Sequence, residues 1–407
     1  MVGTHRPAGG PYGPLVRGRA ARRARTACVA GLATLALLAT GCSSDGGGQP
    51  EEGRRDQGGA TGSRTPGSPP PTGEAPPAKG SVKVERTVAT GLRSPWGLAP
   101  LPDGDLLVSS RDTGRVVHVD GETGKKTEAG TVPGTAPGGE GGLLGIALPR
   151  DDARSLYAYV TTASDNRVLR MHYDPDGAAG ERLSAPDTIF KGIPEGSIHN
   201  GGRIAFGPDG MLYVGTGETG EDGLAQDENS PAGKILRMTP DGRAPGKGNP
   251  ESGSVVYSRG HRNVQGLAWD DEGRLWASEF GQNTWDELNL IEAGGNYGWP
   301  EVEGTAGEEG FIDPVAQWRP SEASPSGIAL AKGSAWMAGL RGERLWRIPL
   351  RGAERVARPQ AFLEGEYGRL RTVAADGGGG LWLVTSETDT RGTPEKGDDR
   401  ILKLTIR

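Results

Sequence analysis

The chain has 407 residues with 70 glycines and 31 prolines, and a formal net charge of −6 in which both signs are interspersed. No basic stripe follows residue 80, which argues against a nucleic-acid partner. The only two cysteines, Cys28 and Cys42, lie near the N-terminus, so the rest of the chain has neither a disulfide framework nor a thiolate metal site.

The chain opens with a basic segment containing Arg17, Arg19, Arg22, Arg23 and Arg25, followed by the apolar run Val29 to Thr40. About a dozen apolar residues are too few to span a hydrocarbon core roughly 30 Å thick, and the pattern reads as a signal peptide. Leu38-Ala39-Thr40-Gly41-Cys42 resembles a lipobox. That resemblance implies a signal peptide over 1–41 and a lipid on Cys42. The protein would then be exported and held on the outer face of the cytoplasmic membrane. Ordinary secretion or a weak membrane anchor is the alternative, and the Arg22-Arg23 pair leaves Sec and twin-arginine export both open. Residues 42–80 contain no apolar run. Such a segment cannot bury enough surface to offset the entropy of ordering and reads as a disordered tether, stiffer at its proline-rich end.

From 81 to 407 the pattern changes to short β-type runs separated by Gly, Asp and Pro turns. Leu106-Leu107-Val108, Leu156 to Val160, Met211 to Val214, Leu275-Trp276-Ala277 and Leu381 to Val384 are examples. No stretch sustains a helical period for more than two or three turns. Pro102-Asp103-Gly104 followed by DLLV recurs as Pro208-Asp209-Gly210 followed by MLYV. It returns more loosely at Asp271-Glu272-Gly273 and Asp376-Gly377. Each copy follows an apolar run (GLAP, RIAF, GLAW, RTVA) and marks a strand, tight turn, strand unit. The copies are 106, 63 and 104 residues apart, so the wide gaps each hide a diverged unit. Six units of about 54 residues, each long enough for four antiparallel strands, predict an all-β fold: a six-bladed β-propeller. Loops at one end of its channel are the natural site.

Three polar, glycine-flanked stretches interrupt the strands: 197–203, 260–266, and 279–289 with 296–300. His199 is a candidate general base because a neutral imidazole can accept a proton near neutral pH. Arg262 offers a fixed fork for a carboxylate or developing oxyanion. Both can also be read as loop residues that cap backbone groups between blades. Glu279, Asp286 and Glu287 could ligate calcium or could serve as turn and inter-blade hydrogen-bond acceptors.

The segments SPWGLAPLPDG (94–104), GGLLGIAL (141–148), HNGGRIAFGPDGMLYVGTGE (199–218), GHRNVQGLAWDDEGRLW (260–276), DELN (286–289), GGNYGWP (294–300) and PSGIA (325–329) run in order along the chain. Together they resemble the soluble PQQ-dependent glucose and aldose dehydrogenases, the glucose/sorbosone dehydrogenases, from about 85 to 407. The resemblance implies a six-bladed propeller that oxidises an aldose at C1 to a lactone. Hydride passes to PQQ, and electrons pass onward to an external acceptor. It implies that His199 is the base and that Arg262 polarises the quinone oxygen. Asn263 would contact the cofactor, and Arg369 and Arg371 would grip its carboxylates. Backbone carbonyls of Gly281 and Gln282 would bind calcium. Arg341 falls where the family usually has a lysine near the quinone. Glu140 stands in the cofactor region where the family commonly has glutamine. Ile198, Thr219 and the segment FGQNTWDE also depart from the usual pattern. A non-catalytic cell-surface propeller that binds carbohydrate, and a calcium-dependent lactonase-type hydrolase, are the competing readings.

Overall fold

The computed structural model describes residues 75–407. Cys42, the signal peptide and most of the tether lie outside the described residues. The body is a ring of six antiparallel sheets, the predicted six-bladed β-propeller. Blades I to IV are formed in sequence by strands within residues 95–131, 143–193, 204–259 and 264–318. Blade V runs from Pro325 to Phe362. Its third strand, Arg344–Arg351, is flanked by two short pieces, Glu354–Arg355 and Gln360–Phe362, where a single fourth strand was expected. Blade VI holds Leu370–Ala375, Gly380–Thr385 and Ile401–Ile406. Its fourth strand comes from the other end of the body: Val82–Ala89 pairs antiparallel with Ile401–Ile406. The segment just before that strand also packs on blade V, where Arg347 Nη2 donates to the Pro77 carbonyl at 2.9 Å and Gly80 N to Gln360 Oε1 at 2.8 Å.

The core is divided among the six junctions between blades. In blade VI, Leu381 and Leu383 pack toward blade V with Leu402 and Leu404. Trp382 and Val384 point the other way, toward Leu98, Leu106 and Val108 of blade I. Successive side chains of a strand face opposite sides of its sheet, and here both sides are covered. This explains why the strands read as continuous apolar runs rather than alternating ones.

The first strands of the blades line the channel and carry a G-(L/I)-A phrase. Gly97, Gly145, Gly266 and Gly327 occupy equivalent positions in four of them. A Cβ on Gly145 would stand 2.3 Å from the Gly202 carbonyl oxygen, and one on Gly266 would stand 2.5 Å from that of Ser326. Glycine is therefore required where neighbouring first strands touch. The other two blades place Arg203 and Thr372 at this position. These two meet across the channel, with Arg203 Nη2 donating to Thr372 Oγ1 at 3.1 Å.

Ring closure yields a stability prediction. Leu383 is fully buried, and Leu383→Ala should cost about 2–5 kcal/mol in urea unfolding. Removal of residues 75–89 should do more, because it strips blade VI of its outer strand and exposes an open edge. Cooperative unfolding in that truncation, at the midpoint of the intact protein, would contradict the closure argument.

Candidate active site

The loops that lead into each first strand, and those that join second to third strands, lie at one end of the ring. His199 sits in the loop leading into blade III. Its φ is +52°, a left-handed conformation that costs a non-glycine residue roughly 1–2 kcal/mol. Two bonds hold it there: Glu140 Oε2 accepts its backbone N–H at 2.9 Å, and its carbonyl accepts the Thr219 N–H at 3.2 Å. The imidazole Nδ1 lies 2.5 Å from Oε1 of Glu218, whose side chain is fully buried. The Gly220 amide donates to the other oxygen of Glu218. A buried carboxylate is an acceptor, so Nδ1 carries the hydrogen and Nε2 keeps its lone pair. Arg262 Nη2, an obligatory donor, stands 3.0 Å from that Nε2 and agrees with the same tautomer.

Arg262 leads into blade IV and is itself held firmly. Its Nη1 donates to the Gly281 carbonyl at 2.7 Å, its backbone N–H to Glu279 Oε2 at 2.8 Å, and its guanidinium lies over Trp299 at 5.3 Å. Glu279 also contacts Nδ1 of the fully buried His261 at 2.8 Å and accepts Asn289 Nδ2 at 3.0 Å. Asp286 receives the amides of Gly281 and Ser324, at 3.0 and 2.6 Å. Glu287 receives the Gly304 amide at 2.7 Å and Asn289 Nδ2 at 3.0 Å. Burial pushes Asp286 up to about 7; burial and the nearby Glu279 push Glu287 up to about 8. Burial would raise Glu303 too, but the amides of Thr284, Trp285 and Gln282 outweigh it and hold that carboxyl below the usual range. These carboxylates serve as anchors for loop backbone. Among the described residues, no group of three or more His, Cys, Asp or Glu side chains is arranged to hold a metal.

A cationic cluster completes the site. Arg369 and Arg371 each donate to Asp389 Oδ2 at 3.0 Å. Arg371 Nη1 also reaches Gln265 Oε1 at 2.9 Å, and Arg111 Nη2 donates to the Asp389 carbonyl at 3.0 Å. Burial lowers Arg371 to about 10. Asp389 is desolvated as well, yet Arg371 and Arg369 hold it at about 2. Asn263 is fully buried and accepts the Gly201 amide at 2.9 Å. Arg262 Nε, Asn263 Nδ2, Trp299 Nε1 and Arg369 Nε are buried donors with no hydrogen-bond partner among the described residues. Buried donors normally find partners. Donors without acceptors, beside a cluster in which Arg111, Arg369 and Arg371 face Asp112 and Asp389, fit a flat cofactor that carries several carboxylates.

Of the residues singled out in the sequence, His199 and Arg262 are in contact; Asn263, Glu140 and Arg369 belong to loops at the same end, and Arg371 to the start of the first strand of blade VI. Arg341 is on that end too, in the turn between the second and third strands of blade V, but its side chain is exposed. Gln282 is likewise exposed, and the Gly281 carbonyl is bonded to Arg262. Sequence reasoning assigned no role to Glu218, Asp389, Trp299 or Arg391. Glu218 ends the strand-like phrase MLYVGTGE, where a charge directly after an apolar run is the available signal. Asp389 and Arg391 lie in SETDTRG, which resembles any polar loop.

The sequence pattern of the family described as Glucose / Sorbosone dehydrogenase matches residues 92–393. The chain belongs to that family. It is an oxidoreductase by this membership. The PQQ-bound aldose sugar dehydrogenase of Streptomyces coelicolor is 70% identical and superimposes with a TM-score of 0.81, covering 82% of this chain and all of that one. Quinoprotein glucose dehydrogenase B of Acinetobacter calcoaceticus is 32% identical over 268 residues, 58% of this chain and 56% of its own length. Aldose sugar dehydrogenase YliI of Escherichia coli is 32% identical over 252 residues, 59% of this chain and 67% of its own length.

The Asp389 cluster carries a pH signature. Its folded pKa, about 2, lies below the ordinary 3.8. The stability it contributes is therefore present above pH 3.8 and is lost as pH falls through about 2. Acid titration of unfolding should show this decline in the native protein and a flatter profile over the same window in Asp389→Asn. Identical slopes would remove Asp389 as the source.

Proposed function

We propose that this protein oxidises aldose sugars at C1 to lactones, with PQQ as its cofactor and an external acceptor for the electrons. The observation that carries the reading is the placement of the His199 ring between Glu218 and Arg262. Glu218 holds the hydrogen on Nδ1, and Nε2 is left as a base beside Arg262. Bound PQQ would supply the hydride acceptor. Arg369, Asn263 and Trp299 would hold it through the unpartnered donors described above, and Arg371, whose nitrogens are already bonded, would add positive charge beside it. His199 Nε2 takes the proton of the C1 hydroxyl as the hydride leaves C1, and the C1–O bond becomes the lactone carbonyl. A sugar hydroxyl at Nε2 replaces the Arg262 bond and frees Nη2 to donate to an oxygen on which charge develops. Glu218 stabilises the imidazolium that results. The close relation to a PQQ-bound aldose sugar dehydrogenase supports the same cofactor and substrate class.

Calcium at the Gly281 and Gln282 carbonyls rests on the family resemblance. As placed, the Gly281 carbonyl accepts Arg262, so these residues do not present a ready cation site. Export and a lipid on Cys42 rest on the lipobox resemblance. Cys42→Ser should move the protein from the membrane fraction to the soluble fraction, and an unchanged distribution would remove the anchor from the proposal.

The decisive assay supplies PQQ to the purified chain and follows dye reduction with a panel of aldoses, with and without calcium. Sugar-dependent turnover should require PQQ and should fall by about 10²–10⁴ in His199→Ala. Glu218→Gln should reduce kcat with little change in KM. Absence of PQQ binding with retained carbohydrate binding would replace the enzyme by a sugar-binding propeller.

A further inference from the structure

Among the described residues, Glu140 is the one carboxylate that accepts the backbone N–H of the proposed base, and it reaches that position from another blade. A tight turn, closed by the Gly141 amide on the Gly138 carbonyl at 2.8 Å, presents it at the mouth of the channel. Its backbone N–H donates to the Ser197 carbonyl at 2.9 Å. Its Oε2 accepts the His199 N–H, also at 2.9 Å. The segment Ser197 to His199 is thus gripped at both ends by a single residue. The turn sits close against that segment: a Cβ on Gly139 would stand 2.0 Å from the Ser197 carbonyl oxygen. The other carboxylate oxygen, Oε1, accepts Arg391 Nη2 at 2.6 Å. Arg391 comes from blade VI, and its own amide is fixed on Asp389 Oδ1 at 3.0 Å. The chain of contacts therefore runs from the arginine cluster through Asp389, Arg391 and Glu140 to the base, passing over blade I.

We propose that Glu140 and Arg391 form a brace that sets the position of His199, so that Glu140 is a positioning residue rather than a ligand of the cofactor. The brace acts through geometry. The Arg391 side chain is 58% exposed, and an ion pair open to solvent on one side contributes little to stability. What it supplies is orientation. His199 holds a left-handed backbone with φ of +52°, and without the acceptor on its N–H the loop can relax toward commoner conformations. The Nδ1 hydrogen bond to Glu218 fixes the ring only if the backbone beneath it stays in place.

This inference rests on the proposed role of His199, so its test includes a reading that needs neither cofactor nor turnover. Backbone amide exchange at His199, measured in the full chain without PQQ, should speed up at least ~10-fold in Glu140→Ala. In the loaded enzyme the same variant should lose ~10–100-fold in kcat, with the sugar KM within about twofold, as expected when a reacting group is misplaced rather than a substrate contact removed. Glu140→Gln alone should be impaired, because its amide must set an NH₂ against the Arg391 donor or against the His199 N–H. Glu140→Gln combined with Arg391→Gln should recover both the slow exchange and most of kcat. In that pair the new amides can accept from His199 and bond to each other without charge. Unchanged amide exchange in Glu140→Ala would overturn the brace. So would a raised sugar KM at full kcat, or a double variant as impaired as Glu140→Ala. If the unmodified protein turns over no sugar, the functional reading fails, and the exchange measurement still decides the brace.

Discussion

A ring of sheets is stable only when its last sheet has an outer strand, and here that strand comes from the opposite end of the body. Pairing of Val82–Ala89 with Ile401–Ile406 joins residues more than 300 positions apart in the chain. Loop-closure entropy opposes such a contact, and the two apolar junctions flanking blade VI reward it. Everything at the channel mouth depends on that joint. Arg369, Arg371, Asp389 and Arg391 all belong to blade VI, while the base and its partner arginine lead into blades III and IV. The distances between them are fixed by closure of the ring, since no direct chain connection is short enough to fix them.

Inside the ring, glycine sets how closely the first strands approach. With backbone against backbone at Gly97, Gly145, Gly266 and Gly327, the channel is narrow enough for side chains on non-adjacent blades to meet. Arg371 of blade VI reaches Gln265 of blade IV, and Arg203 of blade III reaches Thr372 of blade VI. A narrow channel also keeps its charges poorly solvated. Burial, with repulsion from Arg371, lowers Arg203 to about 9. Burial likewise makes the Arg371–Asp389 pair matter more than a surface ion pair would.

The repeat count, the strand turns and the paired apolar faces were legible in the sequence because each is a local pattern repeated around the ring. His199 and Arg262 were legible as polar residues in glycine-flanked loops. The family resemblance implied a role for each, and the geometry shows that they are in contact. What sequence could not supply was partnership across the channel. Nothing near Glu140 announces Arg391, 251 positions away, and nothing near Asp389 announces the two arginines it serves. The acidic residues of 279–289 show the opposite limit. Their composition admits calcium, yet in the structure they are occupied with backbone amides, His261 and Asn289. That use depends on where the loops fold back, which composition does not encode.

The meeting of Arg203 and Thr372 has a further consequence. Thr372 Oγ1 donates in turn to the Trp96 carbonyl at 2.6 Å, and Arg203 stacks on the Trp96 ring at 4.4 Å. These side chains lie across the axis like a stopper. Beyond them a cavity of about 820 Å³ opens toward the far end, bordered by Arg203 and Thr372 but not by His199 or Arg262. The cavity is lined by the first strands and the turns that follow them, at the end of the ring opposite the loops of His199 and Arg262. A molecule bound there would therefore meet the turns between first and second strands and not the proposed base.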